Sequence, residues 1–588
     1  MKRFLLLLTA VSAVASAAEK YAVYETDHFE LITDGSRSRA QEILAQFERA
    51  RSFFVKTLAT KDPILKPRIV VFQKEKDYRD HASSAVSAAH YSALPQRDYI
   101  AIGPSTGDHD RRVTVHEYVH LLVRYTDTPM PLWMNEGVAE LYSNIEQIKK
   151  TVRVGTPIPE HVFTVRNDWL PLSEVVDAGH DSKLYNRRQH VGPFYGISWA
   201  LVHMLVLDTR YRNGFSPLGA ALAGGATPED AFRTVYKKSI GEVENDLKSY
   251  IRGSSVNVVN YDVQFDKVDE KVAPRPITEY EWGVATAELI IGGRKYDQAA
   301  ARLEALTKLQ ADRPEAWEAL TFARWMGKAE GVEAAFAKAR ALGSTQPNLG
   351  FWAPAFTQDK AAAREALRVS VEKYPAFSDA RIRLAEQNLF SGEFQAAFDG
   401  LKAIPKISNR QVPAWFPTFI QACWYLGKIE EARGAASQYV KLSATDVEKD
   451  RSKRLFAFAM KDPPKERVAP VFSAAEQTSF LPHEDDGDFG IDEDPNVIKF
   501  RRTPLTYATG ALIQLECKEP AVLHFKSEAG VIKIIIDSPT ALQVVNAADG
   551  KGELTCGDQL RPVKLGYYPK PGLADGATAV ARSIEFLP

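Results

Sequence analysis

Two short runs decide how this chain is read: Val115-His116-Glu117-Tyr118-Val119-His120-Leu121 and Trp133-Met134-Asn135-Glu136-Gly137-Val138-Ala139-Glu140-Leu141-Tyr142. On an α-helix, residues four apart lie one turn along and about 40° apart around the axis. His116 and His120 therefore present two imidazoles to one point. Glu117 projects about 100° around from His116, beside that point and not onto it. Val113, Val115, Val119 and Leu122 give the same helix an apolar face to bury. Zinc accepts neutral imidazole nitrogens and prefers four ligands, so two more are needed. Pro129-Met130-Pro131 forces a turn, and the second run can fold back as a helix antiparallel to the first. Glu136 then faces the histidines as a third ligand. Glu140, one turn on along the same side, accepts the second ring proton of a ligating histidine, His116 in this reading, and fixes its orientation. Two His and one Glu leave the fourth position open to water, the arrangement of a catalytic zinc and not of a closed structural one. Glu117 sits where it can take a proton from that water.

His-Glu-x-x-His followed by Asn-Glu-Gly-x-Ala-Glu resembles the gluzincin metallopeptidases, the superfamily of thermolysin and the zinc aminopeptidases. The resemblance covers roughly residues 25 to 255. It implies an α+β peptidase domain, one zinc ion per chain on His116, His120 and Glu136, Glu117 as general base, and Glu140 behind a ligand. A third segment, Phe194-Tyr195-Gly196-Ile197-Ser198-Trp199, resembles the aminopeptidase stretch in which a tyrosine precedes a glycine-containing helix. There the phenol donates to the oxyanion, a role that falls on Tyr195, with His190 as a second candidate. Fifteen residues separate His120 from Glu136, fewer than in the familiar families, which implies a divergent member. The Gly-x-Met-Glu-Asn motif that binds a free amine in aminopeptidases is missing before His116. Its place falls on the run Asp98 to Ile102, where Ala101-Ile102-Gly103 is not acidic, so a classical aminopeptidase is not expected. That run is expected to pair with an extended peptide.

Length and charge bound the rest. A chain of 588 residues is too long for one hydrophobic core. Lys plus Arg (74) and Asp plus Glu (75) nearly cancel, so no polycationic face for nucleic acid is expected. Lys2-Arg3, the apolar run Phe4 to Val14 and Ala15-Ser16-Ala17 read as a signal peptide over residues 1–17. The run is about half of a membrane span, and no later stretch is long and apolar enough for one. The mature protein is expected outside the cytoplasm, in a periplasm or beyond it, with no stable membrane span.

Residues 18–255 alternate strand and helix patterns: strands at Phe29–Thr33, Arg68–Phe72 and Asp98–Ile102, then helices at Val113–Tyr125, Leu132–Gln147, Gly196–Asp208 and Glu229–Ile251. Residues 277–465 carry helix pairs with turn glycines at Gly293, Gly327, Gly392 and Gly427, and a further copy lacking the glycine near Asp359. A period of about 34 matches a tetratricopeptide-like solenoid, expected to be either a spacer or a docking surface for a protein partner. Residues 466–495 form a turn-rich, acidic linker, and 496–588 alternate as the short strands of a β-sandwich or barrel. Cys423 reads as core. Cys517 and Cys556 form either a disulfide or two buried thiols. The expected fold class is multidomain: an α+β gluzincin-like domain, an all-α repeat solenoid and a C-terminal all-β domain. The expected function is an exported zinc peptidase acting on peptide or protein substrates. The alternatives are a helical-repeat scaffold with a vestigial peptidase domain, or a zinc hydrolase of a non-peptide acyl group.

Overall fold

The computed structural model describes residues 20–461 and 506–587, a few short loop segments apart. The signal-peptide reading (1–17) and the acidic linker (466–495) lie outside the described residues. By its internal contacts the chain divides into two units: residues 1–129, 135–158 and 257–497, and residues 130–134, 159–256 and 498–588.

In the first unit, β-branched and aromatic residues build a six-stranded sheet of order β4-β5-β3-β2-β1-β9. Its strands are β1 (Ala22–Glu25), β2 (Glu30–Thr33), β3 (Arg68–Val71), β4 (Ala89–Ala93), β5 (Asp98–Ile102) and β9 (Arg275–Pro276). β2, β3 and β5 run parallel, and β4 lies antiparallel to β5 at the sheet edge. β5 is paired on both sides and buried at all five positions. The expectation that this strand pairs with a peptide is therefore corrected: its ladder positions are taken, and the sheet edge belongs to β4.

Helices α1 (Arg37–Leu58), α2 (Glu75–Arg79), α3 (Asp108–Arg124) and α4 (Leu132–Ser143) follow in this part of the chain. Tyr118 of α3 joins Phe29, just before β2, and Phe47 and Phe54 of α1 in an aromatic cluster, with ring centroids 5.5, 5.7 and 6.0 Å away. Tyr118 lies about 200° around α3 from His116. Burying it against α1 therefore turns the histidine side of the helix the other way. α4 ends at Ser143 and not at Gln147 as the periodicity suggests. Asn144 leaves the helix and donates to the Thr156 carbonyl at 3.0 Å. Glu146–Ile148 then becomes β6, paired to β7 (Thr151–Val154), which pairs in turn with β8 (Val259–Asp262).

The remainder of the first unit is helical. α11 (Glu279–Gly292) and α12 (Tyr296–Leu309), α13 (Glu315–Met326) and α14 (Val332–Ala341), α18 (Ser378–Phe390) and α19 (Phe394–Lys402), and α20 (Val412–Tyr425) and α21 (Ile429–Leu442) are pairs, followed by α22 (Asp446–Ala459). In the middle pair, α15 (Pro347–Phe351) and α16 (Ala353–Phe356) stand where one helix is expected, and Asp359 caps α17 (Lys360–Lys373) by accepting from two backbone N–H groups. Gly392 and Gly427 turn their pairs with φ of 77° and 75°, a conformation that favours glycine. α11 is buried at Tyr280 and from Trp282 to Gly292, as a helix with apolar residues on most of its circumference must be. It lies on the sheet: Trp282 stacks on Tyr21 at 4.6 Å and meets Phe72 at 5.7 Å. The repeats are thus rooted in the sheet's own core.

The second unit holds α5 (Pro159–Asn167), α6 (Leu172–Val176), α7 (Arg188–Leu207), α8 (Phe215–Ala223), α9 (Pro228–Tyr236) and α10 (Ile240–Arg252). The expected single helix Glu229–Ile251 is two. Lys237 takes a left-handed φ of 59° after α9, and Ser239 with Glu242 forms a capping box that starts α10. The unit also holds a C-terminal sheet of β10 (Thr506–Glu516), β11 (Ala521–Ser527), β12 (Gly530–Ile536), β13 (Gln543–Val545), β14 (Gly557–Pro569) and β15 (Ala579–Phe586). Its order is β12-β11-β10-β14-β15-β13, and β12 also pairs with β15, closing a five-stranded barrel. Leu512, Leu523, Phe525, Ile534, Val563, Leu565 and Ile584 fill it. Cys517 and Cys556 are joined as a disulfide, and Cys423 is a buried free thiol whose pKa burial pushes up to about 12.

Candidate metal centre

α3 and α4 supply the site. His116 Nε2 lies 3.0 Å from His120 Nε2, and each of these nitrogens lies 3.4 Å from Glu136 Oε2. Among the described residues, these three form the one group of His, Cys, Asp or Glu with converging ligand atoms. The side chains are 11%, 13% and 4% exposed, so the triangle is largely withdrawn from water.

The outer ring nitrogens fix the tautomers. His116 Nδ1 lies 3.4 Å from Glu140 Oε1, and His120 Nδ1 lies 3.1 Å from Asn135 Oδ1. Neither acceptor oxygen carries a hydrogen, so both Nδ1 atoms are the donors, and this assignment follows from the partners. Both Nε2 atoms of the neutral rings then point bare lone pairs at a carboxylate oxygen. Glu140 falls where the sequence reading puts it. Asn135 was not assigned a role there. Its signal was its place directly before Glu136 on the same helix, facing the second histidine.

Glu117 is held from another direction. The Tyr91 backbone N–H on β4 donates to Glu117 Oε2 at 2.7 Å. That N–H points away from β5, toward the edge side of the strand. No side-chain pattern marks a backbone donor, and β4 itself reads Ala-His-Tyr-Ser-Ala, which shows no strong strand alternation.

Without a metal, the charges in the site lean on one another. Burial opposes charge on His120, but the Glu136 carboxylate outweighs it and takes the pKa to about 10. Burial likewise opposes ionisation of Glu136, and His120 with His116 holds it well below the usual carboxylate range. His116 is raised, burial being outweighed by Glu140 and Glu136. Burial raises Glu117, with the two histidines working the other way.

Tyr195 lies on α7 in the second unit, half-buried, its ring edge-on to Phe194 at 6.0 Å. The His190 side chain lies outside the described residues.

No family model matches the chain, and no curated protein matches it. Solved structures that match include YrrB, a TPR protein with an unusual peptide-binding site, at 14% identity and a TM-score of 0.27. The match covers 29% of this chain and 90% of that one.

Proposed function

We propose that this chain is an exported zinc metallopeptidase of the gluzincin kind, with His116, His120 and Glu136 as the metal ligands and Glu117 as the general base. One observation carries the reading: two imidazole nitrogens and a carboxylate oxygen converge within 3.4 Å of one another. The bare site already favours positive charge at this point, on His120, and a metal cation can take the place of that proton. The triangle's edges, 3.0, 3.4 and 3.4 Å, also suit zinc. Ligands at about 2.0–2.1 Å in a tetrahedral shell stand roughly 3.3 Å apart. Two nitrogens and one oxygen from protein leave a fourth position for water, as a catalytic site requires.

Bound there, zinc would supply the Lewis acidity that makes water nucleophilic at neutral pH and polarises a carbonyl. The chain's own groups do the rest. Glu140 and Asn135 hold the two imidazoles with their Nε2 lone pairs inward. Glu117, restrained by the Tyr91 N–H, takes the water's proton and returns it to the leaving amine. β4 is the terminal strand of its sheet, and an extended substrate running along that edge would lie beside Glu117. The oxyanion role that the resemblance gives Tyr195 is tested by Tyr195→Phe, which is expected to lower turnover and leave zinc content unchanged.

Zinc content and casein cleavage, compared between wild type and Glu117→Gln, test the reading. One zinc in each, with cleavage only by wild type, is the expected result. Absence of zinc from both sinks the metal centre. Zinc in both with cleavage by neither sinks the peptidase assignment for unstructured chains and favours a repeat scaffold.

A further inference from the structure

Residues Gln96 to Tyr99, at the tip of the β4–β5 hairpin and the start of β5, each bind a different part of the first unit. The Gln96 carbonyl accepts from Gln346 Nε2 at 2.8 Å and from Asn348 Nδ2 at 2.9 Å, both on the segment that opens α15. Arg97 donates to Glu30 of β2 at 2.6 Å. Asp98 accepts from Arg124 at 3.0 Å, from Tyr125 at 2.6 Å and from the Tyr91 hydroxyl at 2.6 Å. Tyr99 donates its hydroxyl to Glu288 of α11. One turn of the repeats, the sheet, the metal helix and the edge strand therefore meet within four residues.

Two features make this joint stiff. Two side-chain amides on one carbonyl use both of its lone pairs, so this carbonyl is held from the repeat side by two bonds at once. Close approach adds to it: a Cβ on Gly292 of α11 would stand 2.9 Å from Ser92 Oγ and 3.6 Å from Leu94 Cδ2. The repeats thus grip β4 on one side of the hairpin. On the other, Arg124 continues the helix face of His116 and His120 at the next turn. Tyr91, five residues from Gln96, is about 17 Å of strand away at most, and a laddered strand moves as one body.

We propose that residues 96–99 are a coupling joint through which the helical repeats set the position of Glu117, with Gln346 and Asn348 as the positioning residues on the repeat side. Displacing the repeats, as a bound partner would, shifts β4 and with it the Tyr91 N–H that holds the base. The catalytic consequence rests on the peptidase reading; the mechanical linkage does not.

The test is the double variant Gln346→Glu/Asn348→Asp in the full chain. It keeps size, and keeps the Gln346 side-chain oxygen that caps Leu349, but removes both donors to Gln96. Hydrogen exchange of the Tyr91-containing peptide is expected to quicken by about tenfold or more, with zinc still bound and casein cleavage reduced. Trp415→Ala, in α20 and packed on Phe416 and Phe419, controls for general loosening and is expected to leave Tyr91 exchange unchanged. Unchanged Tyr91 exchange in the double variant overturns the proposal, as does equal acceleration in the Trp415 control. If the double variant does not fold, Asn348→Asp alone is read in the same way. Faster Tyr91 exchange in a protein whose wild type cuts nothing sinks the peptidase reading and leaves the joint standing.

Discussion

Asn135 and Glu140 meet the outer ring nitrogens of His120 and His116, and so decide whether the two histidines can act together. With Nδ1–H committed to these oxygens, each Nε2 is a ready lone pair. Without them, a ring can flip or carry its hydrogen on the wrong nitrogen. Glu140→Gln and Asn135→Ala are each expected to weaken zinc binding about 10- to 100-fold, read by competition with a coloured chelator. Glu117→Gln, which lies beside the metal point, is expected to leave that affinity nearly unchanged. Equal losses in all three would mean that the pocket, and not ligand orientation, had been damaged. A second prediction concerns two glutamates in the seam beneath α11. Burial opposes ionisation of Glu30, but Arg68 and Arg97 outweigh it and bring its pKa to about 2. Its stabilisation is complete above pH 4.5 and is lost as pH falls toward 2, on the order of 3 kcal/mol in all. Burial raises Glu318 to about 7, with Glu288 and Glu315 adding repulsion. There the folded protein holds the extra proton, so stability is complete below pH 4.5 and declines as pH rises through 7. Urea midpoints across pH 3 to 8 should show both limbs, and Glu318→Gln should flatten the upper one. A neutral limb that survives in Glu318→Gln refutes the assignment. Of the site, the sequence points to His116 with His120 and to Glu136 with Glu140 through helical spacing, while the facing of the two pairs is read from the proline turn between them and from the gluzincin resemblance. Tyr91 is invisible because its contribution is a main-chain N–H, which every residue but proline carries.

Helices and strands differ in how openly they declare themselves. Long helices with one apolar stripe, such as α1, α17 and α21, show in the sequence because the 3.6-residue period persists over several turns. β4 does not, since two small and two polar residues in five leave no alternation to count. The split between α9 and α10 was legible in principle: Ser239-x-x-Glu242 is a capping box, but the apolar period carries on across it and masks the break. The turn glycines of the repeats were legible, whereas the division of one helix into α15 and α16 was not. Close packing, not local pattern, governs that stretch. A Cβ on Gly350 would collide with the Ser370 hydroxyl and stand 2.5 Å from the Ala366 carbonyl oxygen on α17. A hydroxyl can rotate away but a helix carbonyl cannot, so α15 and α17 must separate. Gly350→Ala is expected to destabilise the repeats by about 1–3 kcal/mol, measured as a shift in urea midpoint. Gly434→Ala, whose Cβ meets nothing within 4 Å, should be neutral or stabilising. The reverse order of the two variants would show that the α15–α17 contact yields easily.

Across the whole molecule, chemistry and architecture are distributed unevenly. The His116–His120–Glu136 triangle, the side chains behind its histidines and the repeats all belong to the first unit, while the C-terminal barrel has its own core, a closed ladder and the one disulfide. An all-β sandwich or barrel was legible from short runs broken by Gly, Pro and Asp, without a choice between the two. The closure was not, because the β12–β15 pairing joins residues far apart in sequence and leaves no local mark. The disulfide spans 39 residues, and a loop of that length restricts the unfolded chain by about 4 kcal/mol on the chain-entropy model. All nine tryptophans precede residue 425, so none lies in the barrel, and tryptophan fluorescence reads unfolding everywhere else. Cys517→Ala/Cys556→Ala is therefore expected to leave the fluorescence midpoint and zinc content where they were. Amide exchange in β10 and β14, the two strands that share the longest ladder, should rise steeply at the same time. That divergence would establish the barrel as a separate folding unit stapled by its own disulfide. A fluorescence midpoint that falls together with barrel protection would show instead that the barrel's stability is shared with the rest of the chain. In that case the disulfide secures more than the segment it closes.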